Sequence, residues 1–330
     1  MEKKEKNIKK KRIICLSTAA VVIVMFAAVL IILRIPSRAV NKIRSVCNKD
    51  VTIYEESIDV EGLNEPYKII FVADAHIALS DSRDAQLKDI SDARYNEFVR
   101  DSKGADRNFS ILMKKVRDEN PDLVIFGGDI TDAATYASVE YVKKEIDKLE
   151  CPYIYCMGNH DFMYGDEYFT QKAYSEYRTR FDSFDTLDNG CDLFEFDKFA
   201  ILAADDGNNQ VGEKIGSVIE KAQNTGKPVM VVTHVPFVPT YGESDLISET
   251  NKVWGTAYLD YSRVLMGEHA NPPDANTSKL IEYVSDESGK VFLVLSGHVH
   301  FYHKDYMKED TFQITAPGAY ERAFLEVTLY

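Results

Sequence analysis

Five short polar motifs contain most of the side chains in this chain that could bind metal ions. They hold five of the seven histidines, and only His269 and His303 lie outside them. In chain order the motifs are Asp74-Ala75-His76, Gly127-Gly128-Asp129-Ile130-Thr131-Asp132, Gly158-Asn159-His160-Asp161, His234 and Gly297-His298-Val299-His300. Imidazole and carboxylate ligands suit borderline transition metals such as Mn, Fe and Zn better than Ca or Mg.

These residue types favour a centre that holds two divalent metal ions. Two metals about 3.5–4 Å apart can clamp a phosphoryl group and generate hydroxide from bound water, and one carboxylate must bridge them. A neutral Asn carbonyl can coordinate a metal without adding negative charge opposite an anionic substrate. A further histidine beside the metals can donate a proton to the leaving oxygen. The chemistry indicated is therefore metal-dependent hydrolysis of a phosphoester.

Taken one at a time, some of these motifs have ordinary explanations. About half a chance match to Asp-x-His is expected in a chain with this many histidines. His234 on its own would more often be a core histidine whose hydrogen bonds are satisfied. Gly-Asn-His-Asp and Gly-His-x-His are much rarer patterns. The set is informative because all five motifs occur in order, each after a predicted strand.

The elements that position the motifs are short apolar runs rich in β-branched residues. Such runs predict buried strands, and the helical stretches between them predict a layered α/β structure. Ligands of open α/β sheets bind at the carboxyl ends of the strands, which is where the motifs lie. The predicted strands that precede the motifs are 68–73, 123–126, 153–157, 229–233 and 291–296. The predicted helices are 109–119, 138–149, 168–180, 211–224 and 278–287, and further strands are predicted at 50–54, 193–196, 199–204, 312–315 and 324–329.

The five motifs, in this order, resemble those of the calcineurin-like metallophosphoesterase superfamily over about residues 67–316. The resemblance implies the family fold, which is of the α/β class. It is a four-layer α/β/β/α sandwich of two mixed sheets. It also implies a metal-dependent phosphoric ester hydrolase. Such an enzyme would cleave phosphomonoesters or phosphodiesters by attack of a metal-bridging hydroxide.

The resemblance also implies a role for each motif residue. His160 would face the substrate as the general acid that protonates the leaving group, and Asp161 would orient it. Asp129 would bridge two divalent transition metal ions (Mn, Fe or Zn). The other ligands would be Asp74, His76 and His300 for the first metal and Asn159, His234 and His298 for the second.

Two departures separate the chain from well-known branches of this family. Purple acid phosphatases carry a Tyr ligand three residues after the bridging Asp, where this chain has Asp132. Serine/threonine protein phosphatases use Gly-Asn-His-Glu and an Arg-Gly after the second motif, whereas this chain has Asp161 and lacks the Arg-Gly. No ligand of the general family set is missing, and the fold alone does not name the substrate.

An apolar run near the N-terminus predicts a membrane anchor. The 21 residues from Ile13 to Leu33 carry no charge, and as a helix they would span a bilayer core of roughly 30 Å. Seven basic residues precede the run and four follow it, which favours a cytoplasmic N-terminus and an extracytoplasmic folded part in a single-pass cell-membrane protein. A cleaved signal peptide would have a shorter run of about 7–15 residues, and the basic cluster argues against a buried core helix. The expected organisation is a tail at 1–12, a transmembrane helix at 13–33, a stalk with an edge strand at 34–66 and the metallophosphoesterase domain at 67–330.

Charge and cysteine content restrict the partners. Residues 1–44 have a balance of +9, so a net charge of −14 leaves −23 for the rest. A domain this acidic repels phosphate backbones, which argues against nucleic acid as a partner. A solvated, soluble surface explains the negative charge equally well. The cysteines show no zinc-site spacing and are interpreted as ordinary buried thiols, with a disulfide as the alternative. They are Cys15, Cys47, Cys151, Cys156 and Cys191.

Two long irregular segments, 77–108 and 236–277, are expected to overhang the metals and select the substrate. Trp254, Tyr258 and Tyr241 are the candidate contacts, although aromatic residues that anchor a loop to the core explain them equally well. The substrate would be a small-molecule phosphoester or an envelope or lipid phosphoester. The alternatives are a membrane-tethered sensor or binding module that keeps metal without turnover, and a nuclease. A sensor or binding module would need no proton donor such as His160. The acidic surface disfavours a nuclease.

Overall fold

The computed structural model describes residues 42–44, 50–162, 170–207, 210–255, 265–267 and 272–330. The predicted basic tail, the transmembrane helix at 13–33, part of the stalk and Tyr258 lie outside these residues. Within the described ranges, none of the helices has the length and apolar character needed to cross a bilayer.

The first of two mixed sheets has six strands. They are β1 (Lys42–Arg44), β2 (Thr52–Ile58), β3 (Tyr67–Val72), β4 (Leu123–Gly127), β5 (Tyr153–Cys156) and β12 (Ala323–Leu329). Their order is β1-β2-β12-β3-β4-β5. Strands β3, β4 and β5 run parallel, β12 is antiparallel to β3 and parallel to β2, and β1 is antiparallel to β2.

The second mixed sheet also has six strands. They are β6 (Cys191–Glu195), β7 (Ala200–Ala204), β8 (Val229–Val232), β9 (Val291–Ser296), β10 (His303–Lys308) and β11 (Thr311–Thr315). Their order is β10-β11-β9-β8-β7-β6. The four inner strands run parallel, and the outer strands β10 and β6 are antiparallel to their neighbours.

Strand β3 shows why these runs are apolar throughout. Ile69 and Phe71 face the core between the two sheets, whereas Ile70 and Val72 face the helices on the outer side. All four side chains are fully buried. A strand covered on both faces needs an apolar residue at every position, which removes the alternation of a half-exposed strand.

The helices cover the outer faces of both sheets. On α2 (Ala105–Asp118), four apolar residues repeat at helical spacing, so they form one stripe that packs against the first sheet. They are Phe109, Leu112, Met113 and Val116. Helices α5 (Ile215–Thr225) and α7 (Ala275–Ser285) pack on the second sheet in the same way. The described α-helices are α1 (Lys88–Glu97), α2 (Ala105–Asp118), α3 (Tyr136–Ile146), α4 (Gln171–Arg178), α5 (Ile215–Thr225), α6 (Leu246–Trp254) and α7 (Ala275–Ser285). The prediction of two mixed sheets with helices is confirmed.

Four elements named here differ from the sequence prediction. The predicted edge strand at 50–54 is β2, which lies inside the sheet between β1 and β12. The two long segments predicted as irregular each contain a helix, α1 and α6. Strand β10 was not predicted, because its sequence HKDYMK has the polar character of an edge strand.

The three described cysteines, Cys151, Cys156 and Cys191, are free thiols. Cys156 and Cys191 are buried, as predicted, whereas Cys151 is partly exposed. Burial raises the pKa of Cys191 to about 12, so this thiol is neutral and unreactive at ordinary pH. Cys15 and Cys47 lie outside the described residues.

Candidate metal centre

The predicted ligands converge where the carboxyl ends of the parallel strands of both sheets meet. Three motifs follow strands of the first sheet, and two follow β8 and β9 of the second. The structure brings six of the seven predicted ligands and His160 together, and the seventh, Asn159, is buried directly before His160. The predicted ligands are Asp74, His76, Asp129, Asn159, His234, His298 and His300.

The first group consists of Asp74, His76 and His300, whose ligand atoms lie within 4.8 Å of one another. The Nε2 atoms of His76 and His300 are 2.9 Å apart, and Nε2 of His300 lies 3.2 Å from Oδ1 of Asp74. Imidazole nitrogens that face each other so closely are the arrangement expected when both lone pairs point at one cation. These residues therefore fit a divalent metal ion.

The second group consists of Asp129, His234 and His298, again within 4.8 Å. Nε2 of His234 lies 3.0 Å from Oδ2 of Asp129, and Nδ1 of His234 donates to the carbonyl oxygen of Gly127 at 2.8 Å. Oδ1 of Asn159 is buried and finds no hydrogen-bond partner among the described residues. A buried oxygen of this kind is costly unless something binds it, and a cation would.

Neutral imidazoles and ionised carboxylates, the forms that bind metal, are favoured at several of these positions. Burial, together with neighbouring His234, lowers the pKa of His298 to about 3. Burial opposes ionisation of Asp129, but His234 and His160 hold its pKa well below the usual value. Burial likewise opposes a charge on His234, yet Asp129 raises the pKa of His234 to about 10. A metal ion that binds His234 must therefore displace a proton.

The backbone at the ligands is strained. Ten described residues other than glycine have positive φ angles, and five of them are predicted ligands with φ between 52° and 69°. Left-handed backbone costs such residues on the order of 1–3 kcal/mol each, and proteins retain it mainly at functional sites. The five are Asp74, His76, Asp129, His298 and His300.

Two motif glycines make room for the acidic ligands. A Cβ atom on Gly158 would lie 2.3 Å from Oδ1 of Asp129, and one on Gly297 would lie 2.7 Å from Oδ2 of Asp74. Both distances are far below van der Waals contact, so a larger residue at either position would displace a ligand.

His160 is held by a carboxylate that the sequence analysis did not assign to it. Nδ1 of His160 lies 2.6 Å from Oδ1 of Asp132, and the same oxygen is 3.2 Å from Nδ1 of His76. Burial lowers the pKa of His160, but Asp129 and Asp132 outweigh it and raise that pKa. The side chain of His160 is 15% exposed, whereas that of Asp132 is fully buried, so the imidazole can reach a substrate.

Asp161, which the sequence analysis predicted to orient His160, makes other contacts. Its carboxylate accepts hydrogen bonds from the backbone amides of Asp129 and Thr131 at 2.8 Å and of Gly158 at 2.9 Å. It also accepts one from the Tyr155 hydroxyl at 3.1 Å. Asp161 therefore joins the second motif to the third, and Asp132 is the carboxylate that faces His160.

Aromatic rings surround the first ligand group. The ring of Phe98 stacks on His76 with centroids 4.0 Å apart and an angle of 3° between the planes. The edge of Tyr320 lies 5.3 Å from His300, measured between centroids. Phe98 and Tyr320 are buried, so they pack behind the ligands. Neither residue lies in a motif, and no signal in the sequence marks them.

The three predicted substrate contacts differ in where the structure places them. Trp254, at the end of α6, is partly exposed, and its ring centroid lies 4.8 Å from that of His300. Its Nε1 donates to the carbonyl oxygen of Val299 at 3.2 Å. Tyr241 pairs with Tyr306 of β10 and is 42% exposed. Tyr258 lies outside the described residues.

Trp254 gives a direct optical test of the first ligand group, because it is the only tryptophan in the chain. Binding of Mn²⁺, which is paramagnetic, should strongly quench the indole fluorescence, since the ring lies beside His300. Zn²⁺ has a closed d shell and should leave most of the intensity. A titration with each ion, repeated on His300→Ala, measures the effect. Stoichiometric Mn²⁺ binding without quenching would place Trp254 away from the metal.

His303, outside the motifs, ties α6 to the second sheet. Its Nε2 lies 2.8 Å from Oδ1 of Asp245, directly before α6, and its Nδ1 lies 3.0 Å from Oδ2 of Asp305. Burial opposes protonation, but the bonds to Asp305 and Asp245 outweigh it and raise the pKa of His303.

A raised histidine pKa makes stability depend on pH in a defined direction. The His303 contribution should be complete below about pH 6.5 and be lost as the pH rises through the higher folded-state pKa. Asp245 is exposed, so the effect should be a few degrees of melting temperature at most. Melting curves of wild type and His303→Gln between pH 6 and 9 measure it. If the melting temperatures of the two proteins changed with pH in parallel, the predicted contribution of His303 would be wrong.

Comparison with known proteins gives a family match and several solved structures with partial similarity. A family model described as calcineurin-like phosphoesterase matches residues 67–302. A dimetal phosphatase from Danio rerio has a TM-score of 0.49 and 14% identity, with 78% of this chain and 89% of that chain covered. A purple acid phosphatase from yellow lupin (Lupinus luteus) seeds has a TM-score of 0.49 and 12% identity, with 81% and 47% covered. The NAD nucleotidase of Haemophilus influenzae has a TM-score of 0.41 and 12% identity, with 80% and 47% covered. Comparison with curated proteins gave no match.

Proposed function

Because the chain belongs to the calcineurin-like phosphoesterase family, we propose that it hydrolyses phosphomonoesters or phosphodiesters at a centre for two divalent transition metal ions. The observation that carries the proposal is the position of His160 beside a complete set of ligands, with its Nδ1 held by Asp132. A site that only stored or sensed metal would have no use for a proton donor held in this way.

The proposed ligands divide as the two groups suggest. Asp74, His76 and His300 would hold one ion, and Asn159, His234 and His298 the other. Asp129 lies against His234 and would serve both ions. When bound, two such ions neutralise charge on the phosphoryl group and supply hydroxide at neutral pH.

The residues of the chain prepare the proton transfer. With Nδ1 of His160 held by Asp132, the proton available to the leaving oxygen is the one on Nε2. The same carboxylate holds Nδ1 of His76 and so leaves Nε2 of His76 free to bind a metal ion. Asp161 keeps the second and third motifs in register through their backbone amides.

Hydrolysis of nitrophenyl phosphate and bis-nitrophenyl phosphate tests the proposal. The full chain should hydrolyse at least one of them with added Mn²⁺, lose this activity on chelation and regain it when Mn²⁺ is restored. Metal binding without turnover across a broad panel of phosphoesters would reject the proposal and favour a metal-binding sensor module. Cleavage of DNA in preference to small phosphoesters would favour a nuclease.

We also propose that residues 13–33 anchor the enzyme in the cell membrane with the catalytic domain outside the cytoplasm. The support is the uncharged run of 21 residues and the excess of basic residues before it. Envelope or lipid phosphoesters would then be within reach. The full chain should stay in the membrane fraction after alkaline carbonate extraction, and a protease added outside the cell should digest the domain. Release by carbonate, or protection from that protease in intact cells, would contradict the anchor or its orientation.

A further inference from the structure

The carboxylate of Asp132 lies against nitrogen atoms of three side chains. Two of them, His76 and His160, share Oδ1 through their Nδ1 atoms at 3.2 and 2.6 Å. The third is Arg94 of α1, whose Nε donates to Oδ2 and whose Nη2 donates to Oδ1 at 3.3 Å. Arg94 is the only one of the three that lies outside the five motifs, in the long segment 77–108.

The setting of Arg94 is buried and well defined. The residue is 6% exposed, and its Cζ lies 5.0 Å from the ring centroid of Phe98. Phe98 in turn stacks on His76. Nη1 of Arg94 donates to Oε2 of Glu97 at 2.7 Å, and the side chain of Glu97 is 60% exposed. The end of α1 therefore contacts the centre twice, through the guanidinium and through the Phe98 ring.

Two-point contact by a guanidinium restricts the orientation of a carboxylate. A planar Arg fork binds both oxygens and fixes the plane of the carboxyl group, which a single ammonium contact does not do. Without Arg94, the Asp132 carboxylate would remain buried with part of its charge uncompensated, and it could turn about its Cβ–Cγ bond. Nδ1 of His160 contacts Oδ1 of this same carboxylate at 2.6 Å.

We propose that Arg94 is a positioning residue for hydrolysis, which fixes the Asp132 carboxylate and thereby aims His160 at the leaving oxygen. This inference rests on the proposed phosphoesterase function. It assigns a specific part of segment 77–108 to the proton transfer, whereas the sequence suggested only a role in substrate selection. In this proposal Arg94 acts through Asp132 and is therefore not itself a catalytic residue.

Leaving groups of different basicity provide a readout that loss of stability alone would not produce. Nitrophenolate leaves without help from an acid, whereas phenolate, which is more basic, needs the proton from His160. In the full chain with Mn²⁺, Arg94→Met should lower kcat for phenyl phosphate by about 10- to 100-fold, the range for partners that orient a catalytic group. It should lower kcat for nitrophenyl phosphate far less, with KM little changed for both. The corresponding phenyl and nitrophenyl diesters serve if the enzyme prefers diesters.

Two comparisons sharpen the experiment. Glu97→Gln changes an exposed partner of Arg94 without touching Asp132, so it should leave both substrates at wild-type rates. In a His160→Asn background, Arg94→Met should cause no further loss that depends on the leaving group, because both changes remove the same proton transfer. Additional loss specific to phenyl phosphate in the double variant would overturn the inference.

The outcomes separate this inference from the proposed function. Equal losses on both substrates with Arg94→Met would show that Arg94 only supports the fold, while the phosphoesterase function would stand. If Arg94→Met does not fold, Arg94→Lys keeps the charge without the fork and should still slow phenyl phosphate selectively. Equal rates with Lys and Arg would then overturn the inference. No hydrolysis by the wild type of any of these substrates would reject the proposed function together with it.

Discussion

An Asp129→Ala variant should lose most of its bound divalent metal and at least about a thousandfold in kcat/KM. Asp129 lies 3.0 Å from His234 and would serve both ions, so its loss should weaken both sites. Replacing residues that merely orient ligands already costs roughly 10–100-fold, and loss of a shared ligand should cost more. Metal analysis of the purified protein and nitrophenyl phosphate kinetics measure the two effects.

The control for Asp129→Ala is another buried carboxylate away from the centre. Asp84 is 1% exposed and accepts hydrogen bonds from the Tyr136 amide and Arg180. Asp84→Asn should therefore lower stability but keep metal content and most of the activity. Melting without metal shows whether Asp129→Ala is folded. Wild-type activity in folded Asp129→Ala would remove the bridging ligand from the proposal.

A His160→Asn variant should retain its metals but lose about 10²- to 10⁴-fold in kcat on substrates with basic leaving groups, the usual contribution of a general acid. The loss should be much smaller for nitrophenyl phosphate, which needs no proton. His160 lies with His76 and Asp132 in a further cluster of potential ligand atoms within 4.8 Å of one another, but it belongs to neither proposed ligand set. Metal content should therefore not change. Uniform loss on all substrates would argue against proton donation.

Asp132 and Asp161 give a matched pair for the same assay. Asp132→Asn should reproduce the leaving-group bias of His160→Asn, because Asp132 is the carboxylate 2.6 Å from that ring. Asp161→Asn should mainly lower the melting temperature, because it weakens hydrogen bonds that hold two motifs together. If Asp161→Asn showed the leaving-group bias and Asp132→Asn mainly lowered the melting temperature, Asp161 would be the residue that orients His160, as the family resemblance implied.

Most of the centre could be predicted from the sequence because its residues follow buried strands. Val229–Val232 and Val291–Ser296 are continuous apolar runs, so their ends are recognisable, and His234 and His298 come directly after them. Parallel strands place such residues at one edge of a sheet. The family resemblance drawn from the motifs is confirmed by the match over residues 67–302.

What the sequence could not predict depends on contacts between distant segments. Asp132 and Asp161 both lie in motifs, and nothing in their spacing tells which of them faces His160. Arg94 lies on a polar helix 38 positions before its partner Asp132 and has no periodic apolar pattern beside it. In the sequence nothing distinguishes Phe98 from an ordinary aromatic residue of a loop, because its stacking on His76 is formed only in the fold.

The distribution of the ligands between two sheets also sets when the centre can form during synthesis. His76 and His300 are 224 positions apart, and closing so long a loop costs roughly 5 kcal/mol of chain entropy. A nascent chain that ends before β9 would contain five of the seven predicted ligands. Each metal position would still be one histidine short. On the proposed ligand assignment, metal loading would therefore follow the addition of β9 to the second sheet, and a chain stalled on the ribosome before β9 would bind metal poorly.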